Sequence, residues 1–376
     1  MARILMFYHG AIPEVRIDRE ASALADEGHD VFIICSQKGL GEPPTSYKKV
    51  YYVPLTRMQK AFIPFSLGRA KRAYKKIIAE VKPDVFHAQD IVAANIAIRI
   101  KPKNMMFIYE DREIWELIKK LEWKERTTFF NWPLRLYQYL AAKKLSIFIM
   151  KKSNLNIVQH RKWIEFYEKR GVNPEKIIAL ENFASKEIID KALSSKDLID
   201  YFIKTDPRKK MVHSSRGGKT SVDYLRDIQK FVDAAQELDD WVLVIFGPED
   251  EELIEKEVKY LEPRPIIEYL ASCSGCDVML NPLVLNERIH YVSPNRLYEG
   301  TSLGLRIIST KAQGFYDDFG ELLIWIDENT TKEDIIGILN KIDEYPTSKE
   351  IKKFAERFSW EKEKEKLINN YNKLIN

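Results

Sequence analysis

Only three of the 376 residues are cysteine: Cys35, Cys273 and Cys276. Three thiols cannot build a disulfide framework, and "CSGC" has no second Cys or His pair at zinc spacing. They are read as small apolar packing residues rather than as metal or redox groups. Long apolar runs are missing too, since "LSIFIM" and "WVLVIF" fall far short of the ~20 residues a spanning helix needs. The opening "MARILMFYHG" has no cationic stretch followed by a cleavable tail, so the expected location is the cytoplasm. No segment is of low complexity and no short repeat recurs. Acidic residues are absent altogether between Pro43 and Ala79.

What is present suits an ordinary globular protein, with 45% hydrophobic residues for cores and 31% charged residues for a soluble surface. A chain of 376 residues exceeds what one core usually organises, ~250–300 residues, so two domains are expected. Charge divides unevenly between them. Residues 1–190 carry 33 Lys and Arg against 22 Asp and Glu, and the remainder 27 against 34, so the halves face different partners.

The order of elements is strand, helix, strand throughout. "ARILMF" is a short apolar strand, followed by an amphipathic helix in "EVRIDREASALADEG" with Gly28 as its stop, and then by "DVFIICS". "KPDVFHAQD", "NMMFIYEDREIWE" and "NLNIVQH" continue the alternation, each delivering polar residues at its carboxyl end. A second series starts at "RKKMVHSSRGG" and runs through "WVLVIFGPED", "CDVMLNPLV", "SPNRLYEG" and "LRIIST". The expected fold class is α/β, with two Rossmann-like, doubly wound parallel-sheet domains facing a cleft. The first covers 1–190 and the second 205–350, with a polar boundary near 185–207 and a helix at 350–376 packing back on the first. Ligands of such sheets sit at the carboxyl ends of strands.

Two clusters in the second half suit a diphosphate. In "SPNRLYEG", Ser293 reads as an N-cap and Pro294 as the first helical residue, leaving free N–H groups near Asn295 that attract anions. Glu299 lies one turn further on the same face, where it would repel phosphate but could accept hydrogen bonds from a ribose diol. In "HSSRGGKTSVDYLRD", Arg216, Lys219 and Arg226 surround two glycines that let backbone approach a ligand. On either stretch alone, a capped helix or a solvated loop explains the residues as well. His9 and His87 stand at strand ends as candidate acceptor contacts, and His290 as a group that could reach a donor sugar. His213 and His160 are read as packed.

Taken together, "VRIDREASALADEGHDVFII", "DVFHAQD", "IYEDREIWE", "ENF", "VLVIFGPE", "CDVMLNPL", "SPNRLYEGTSLGLRIIST" and "RFSWEKEKEKLINNYNKL" resemble, in order and spacing, the retaining glycosyltransferases of the GT-B fold, family-4 ("group 1") class. The resemblance implies a hexosyltransferase with a UDP- or GDP-linked sugar held by the second domain and an acceptor held by the first. It assigns the donor ribose to Glu299, the diphosphate to Arg216 and Arg226, and the nucleotide turn to Gly247 and Pro248. Arg264 would read the base edge, Gly10 would lie in the loop near the diphosphate, and Glu113 keeps its place beside the acceptor.

Three positions depart from the family pattern. Tyr291 replaces the first of the paired glutamates, with Glu287 out of register. Arg112 replaces the histidine of "YDxHE", and Arg306 a proline. Arg112 brings a permanent cation, expected to pair with Glu113 or Glu116 or else to meet a carboxylated or sulfated sugar. No cofactor and no metal are expected, because arginines can stabilise the leaving diphosphate electrostatically and no strand-end DxD pair is present. Two other readings keep the fold: a catalytically silent donor-binding subunit, consistent with Tyr291 and Arg112, and a nucleotide-sugar epimerase, which would need an acid/base pair.

Two basic stretches carrying aromatics, 57–76 and 119–144, suit an anionic membrane surface and a lipid or lipid-linked acceptor. The expected setting is peripheral, on the inner face of the cell membrane, in glycan biosynthesis. Nucleic acid is not an expected partner, since no recognition module accompanies the charge.

Overall fold

The computed structural model describes residues 1–39, 41–61, 67–125, 128–214, 225–249 and 258–375, with side chains from 228 onward in the Leu225–Gln236 helix. The chain divides into two compact units, Met1–Glu181 with Lys362–Asn376, and Asn182–Glu361.

The strands of the first unit are β1 (Arg3–Phe7), β2 (Ala11–Ile12), β3 (Asp30–Cys35), β4 (Gln37–Lys38), β5 (Tyr47–Tyr52), β6 (Val85–Ala88), β7 (Met106–Asp111), β8 (Leu155–Val158) and β9 (Ile177–Ala179). Seven of them form one sheet in the order β5-β3-β1-β6-β7-β8-β9, while β2 pairs with β4. In the second unit β10 (Lys209–Ser214), β11 (Trp241–Phe246), β12 (Val258–Leu261), β13 (Val278–Asn281), β14 (Arg306–Thr310) and β15 (Ile324–Ile326) form a sheet in the order β12-β11-β10-β13-β14-β15. Every pairing among the described residues is parallel. Parallel sheets are covered on both faces, which is why "WVLVIF" is apolar without alternation and buried at each position.

In both units the chain builds one side of the sheet, returns to the middle, and then builds the other side. The reversal falls between β1 and β6 in the first unit and between β10 and β13 in the second. At such a switch point the crossovers leave in opposite directions, and a crevice opens beyond the strand carboxyl ends.

Local sequence sets the connecting helices. Val15–Asp26 buries Ile17, Ala21 and Leu24 along one face; Glu14 caps it by accepting from Ile17 N, and Gly28 turns the chain at φ 82°. The Asn295–Leu303 helix ends at Gly304, φ 81°, in the left-handed conformation that glycine adopts without strain. Residues 182–190, expected in the first domain, and the rest of the expected boundary near 185–207 are part of the second unit. Ala184, Ile189, Ala192 and Ile203 join Leu270, Ala271 and both second-half cysteines in its core, because they supply the apolar face that covers the Ile266–Cys273 helix. Residues Lys362–Asn376 complete the first unit, with Leu367 and Tyr371 wholly buried.

Gly300 fixes how closely the Asn295–Leu303 helix lies on the sheet. A Cβ there would come within 2.7 Å of Met279 Sδ and 3.0 Å of Ile307 Cδ1. Replacing Gly300 by Val should therefore push the helix off β13 and β14 and cost about 1–3 kcal/mol. Urea unfolding of the variant would measure that loss.

Candidate functional site

Each switch point is bridged by polar side chains. In the second unit the bridge is Arg296, on the first turn of the Asn295–Leu303 helix. Its Nη2 donates to the Ser214 carbonyl (3.1 Å), and its Nη1 donates to the Leu280 carbonyl (3.4 Å) and lies 3.2 Å from His213 Nδ1. One guanidinium thus ties the carboxyl ends of β10 and β13. Nδ1 of His213 thus lies between a guanidinium that can only donate and the Leu280 carbonyl, 3.5 Å away, that can only accept. Burial first, and then the Arg296 charge, lower the His213 pKa to about 3. Tyr269, whose hydroxyl meets Ser214 and the Cys273 thiol, adds a polar wall to this cluster, and Glu299 acts on both Tyr269 and Cys273 electrostatically.

Glu299 itself is half-buried, on the same helix face as Arg296 three residues before it. Asn295 is exposed at the helix start. The expected cap is not made. Pro294 occupies the N-cap position, and no side chain caps the helix, because the Ser293 hydroxyl bonds to Tyr298 Oη (3.3 Å) and the Ser293 carbonyl accepts from Asn182 Nδ2 (2.7 Å).

Gly247 N–H donates to the Leu261 carbonyl (2.9 Å), extending the β11–β12 pairing, and Pro248 follows, exposed. Arg264, expected beside a base, is held by an ion pair with Asp200, which also caps the Tyr201–Thr205 helix. Tyr291 is half-buried in a short helical turn, and His290, exposed, accepts from Gln313 N (3.2 Å). Arg216, Lys219 and the side chain of Arg226 lie outside the described residues.

In the first unit the bridge is His9, just beyond β1, with Asp90, just beyond β6. Nδ1 of His9 lies 2.7 Å from Asp90 Oδ2, and His9 N donates to the same oxygen (3.0 Å). Gly10 follows in a turn where a Cβ would come within 2.5 Å of the Tyr8 ring, so a side chain there would displace that ring. Arg112 stacks over Tyr8, 5.2 Å from the ring centroid, and pairs with Glu14 (2.7 Å) rather than with Glu113 or Glu116. Glu116 is taken by Arg170 (3.0 Å), and Glu113 is half-buried nearby in the chain. Burial pushes the Glu14 carboxyl up, but Arg112 and the Ile17 N–H outweigh it and leave the pKa lowered.

His87 is not an acceptor contact. It is wholly buried, with Nδ1 2.7 Å from Tyr371 Oη and Nε2 3.3 Å from Glu110 Oε2. Register explains it, since His87 is the third of four buried residues of β6 and points into the core. Behind it Arg16 joins Glu110 (2.6 Å) and Glu20 (3.1 Å), all wholly or almost wholly buried. Ligand atoms of Glu20, His87 and Glu110 lie within 4.8 Å of one another, close enough for a metal ion, but Arg16 already stands against both carboxylates as their cation. Burial first raises Glu20, and the neighbouring Glu110 raises it further; Arg16 and His87 hold Glu110 low against the effect of its own burial.

Sequence reasoning passed over Arg296 and Asp90, and read His213 as packed, which its burial bears out. Arg296 stands inside the quoted "SPNRLYEG", three residues from Glu299, and Asp90 ends "DVFHAQD", where an Asp before an apolar run is a helix-cap signal.

The His213 ring sets a pH dependence. Unfolded, it takes up a proton below its ordinary 6.5; folded, only near 3. The unfolded state binds more protons across that window, so stability falls as pH drops through it, by up to ~1.4 kcal/mol per unit. A His213→Gln variant should lose less stability than the parent between pH 6.5 and 4 in urea titrations.

No curated protein matches this sequence. Among solved structures, the chain is similar to sucrose-phosphate synthase from Thermosynechococcus elongatus (14% identity, TM-score 0.70, covering 100% of this chain and 99% of that one). It is similar also to HepE from Anabaena, solved with UDP-glucose (12%, 0.68, 99% and 100%), and to WaaG, a glycosyltransferase involved in lipopolysaccharide biosynthesis (16%, 0.64, 94% and 93%). The chain thus has the GT-B fold of these glycosyltransferases, and its residues 13–186 match the family described as Glycosyltransferase Family 4.

Proposed function

We propose that the protein is a glycosyltransferase that moves a sugar from a nucleotide diphosphate donor, bound by the second unit, to an acceptor bound by the first. The carrying observation is the second switch point, where Arg296 places a permanent cation and Glu299 a half-buried carboxylate on one helix face. A diphosphate needs the first and a ribose diol the second. HepE, of the same fold, is recorded with UDP-glucose and with UDP, which supports a uridine donor. In this reading Arg216 and Arg226 join Arg296 against the charge that develops on the leaving diphosphate, without a divalent cation. Retention of anomeric configuration is carried over from the family resemblance.

Calorimetric titration with UDP and GDP tests the site. Glu299→Ala should weaken UDP binding at least tenfold, about 1.4 kcal/mol. Binding equal to the parent's would remove Glu299 from the site. Turnover decides the rest: UDP release with the product anomer unchanged, read by NMR, supports a retaining transferase, and binding without any turnover supports a silent donor-binding subunit. A putative UDP-N-acetylglucosamine 2-epimerase from Listeria monocytogenes shares the fold at 12% identity and a TM-score of 0.56. Sugar epimerised without transfer would favour that activity instead.

The acceptor is proposed to be lipid or lipid-linked, with the first unit resting on an anionic bilayer. Phe129 and Phe130 are 84% and 93% exposed, and Trp132, Leu134, Tyr137, Leu140 and Phe148 continue the apolar surface along the Trp132–Lys152 helix. Lys143, Lys144, Lys151 and Lys152 are exposed on that helix. The earlier basic stretch is different: Leu67 and Tyr74 are buried, so the Gly68–Val81 helix turns its apolar side to the core and presents Arg69, Arg72, Lys75 and Lys76 at the surface. No helix among the described residues is long and apolar enough to cross a membrane. The double variant Phe129→Ser, Phe130→Ser should sediment several-fold less with vesicles containing anionic lipid, while binding UDP like the parent.

A further inference from the structure

Two part-buried arginines of the first unit differ in how far their donors are met. Arg170 is filled: Nε and Nη2 donate to the two oxygens of Glu116 (3.0 and 3.3 Å), and Nη1 donates to the Phe166 carbonyl (2.9 Å). Arg112 donates once, from Nη2 to Glu14 Oε1 (2.7 Å). Its Nε and Nη1 are buried and meet no hydrogen-bond acceptor among the described residues. A guanidinium has five N–H groups, and leaving buried charged donors unmet is costly, so Arg112 is a cation with contacts still to make.

Glu14 cannot supply them. Its other oxygen, Oε2, accepts from Ile17 N (3.0 Å) as the cap of the Val15–Asp26 helix, and its backbone N–H is held by Asp18 Oδ2 (2.7 Å). One carboxylate oxygen is committed to the helix, which leaves one for Arg112. The pair is therefore a single N–H···O contact where arginine is shaped for two at once. The side chains of Arg112 and Glu14 are 14% and 25% exposed, so a solute can reach the contact.

Position makes this more than a surface ion pair. Arg112 follows β7 and lies over the ring of Tyr8, which follows β1, so the cation reaches across the carboxyl ends of three adjacent strands, β1, β6 and β7. That is where an α/β sheet takes its ligand. Tyr8 and Trp115, both half-buried, pack on the ring of His9 at 5.5 and 6.2 Å, and Lys119 lies over the Trp115 face at 5.5 Å. Aromatic faces with a few fixed polar groups are the lining that small-molecule sites favour.

We propose that Arg112 binds an oxyanion carried by a sugar, a carboxylate or a phosphate, and that Glu14 gives way to it; that this sugar is the acceptor rests on the glycosyl-transfer reading above. The exchange gains hydrogen bonds. The incoming group brings at least two uncommitted oxygens and engages Nη2 together with Nε or Nη1, where Glu14 engaged Nη2 alone. Glu14 keeps its Ile17 contact and turns Oε1 to water. A neutral sugar has no charge with which to displace a carboxylate from a guanidinium, so the site selects acidic acceptors over neutral ones. The oxyanion has two chemical sources, a uronate carboxylate or the phosphate that joins a sugar to its carrier.

The test titrates the whole chain with methyl glucuronide, glucose 1-phosphate and methyl glucoside, followed by ligand-observed NMR. At least one acidic sugar should bind about tenfold or more tightly than methyl glucoside, and which one it is names the source. Arg112→Gln should abolish that preference, and Arg112→Lys, which keeps the charge but not the fork, should weaken it about threefold or more. Glu14→Gln retains an oxygen for the Ile17 cap and removes the competing charge, so it should bind the acidic sugar about two- to fivefold more tightly. An ion pair that served only the fold would move both positions in the same direction. UDP affinity, measured alongside, shows that each variant is folded. A parent without the preference, a folded Arg112→Gln that keeps it, or a Glu14→Gln that binds the acidic sugar more weakly each overturns the proposal. Selective binding of an acidic sugar that stimulates no UDP release from UDP-glucose, UDP-galactose or UDP-N-acetylglucosamine keeps the oxyanion site and overturns its naming as the acceptor site. UDP release stimulated equally by all three sugars leaves glycosyl transfer standing and overturns the selectivity.

Discussion

A parallel sheet that reverses its strand order must leave a gap at the carboxyl ends of its two central strands, and the polar groups at that gap need partners that the next crossover does not provide. Both units of this protein meet that constraint with side chains from a following segment. The solutions differ in charge. In the first unit a carboxylate spans the gap to an imidazole; in the second a guanidinium spans it to two carbonyls and an imidazole. The first arrangement places a carboxylate at its gap and the second a permanent cation.

The same permanent charges constrain what lies behind them. Arg16, Glu110, Glu20, His87 and Tyr371 form a connected, buried chain drawn from a helix, two strands and the terminal helix. Burying such groups gains little stability over apolar packing, because desolvation offsets most of the attraction, but breaking one link leaves a charge unpaired at a cost of about 3–5 kcal/mol. The chain acts on arrangement: Arg16 must meet Glu110 or the unit carries an orphan charge, and Tyr371 must meet His87 or it carries an unpartnered buried hydroxyl. The position of β6, and with it that of Asp90 two residues beyond, is set by the same contacts.

What the sequence made legible follows from period and position. Strands buried on both faces are continuous apolar runs, so "WVLVIF" and "VMLN" could be placed by eye, and the alternation with helices indicated a doubly wound sheet. Glu299 could be flagged because a carboxylate near a helix start is conspicuous. Long-range partners were not legible. Arg112 looked set to pair with acids one or four residues away, whereas Glu14 is 98 positions distant in the chain and adjacent only after β1 and β7 are aligned. Ser293 read as a cap because Ser-Pro usually is one, yet the hydroxyl of Tyr298 competes for it. His87 looked like a strand-end polar group, and only the register shows that it lies inside the strand.

Residues 362–375 belong to the first unit although the whole second unit is encoded before them. During synthesis the amino-terminal sheet leaves the ribosome first and is finished last. Until Leu367 and Tyr371 arrive, the apolar seat they fill and the imidazole of His87 stand open, so the nascent protein presents sticky surface for the time needed to translate some 180 further residues.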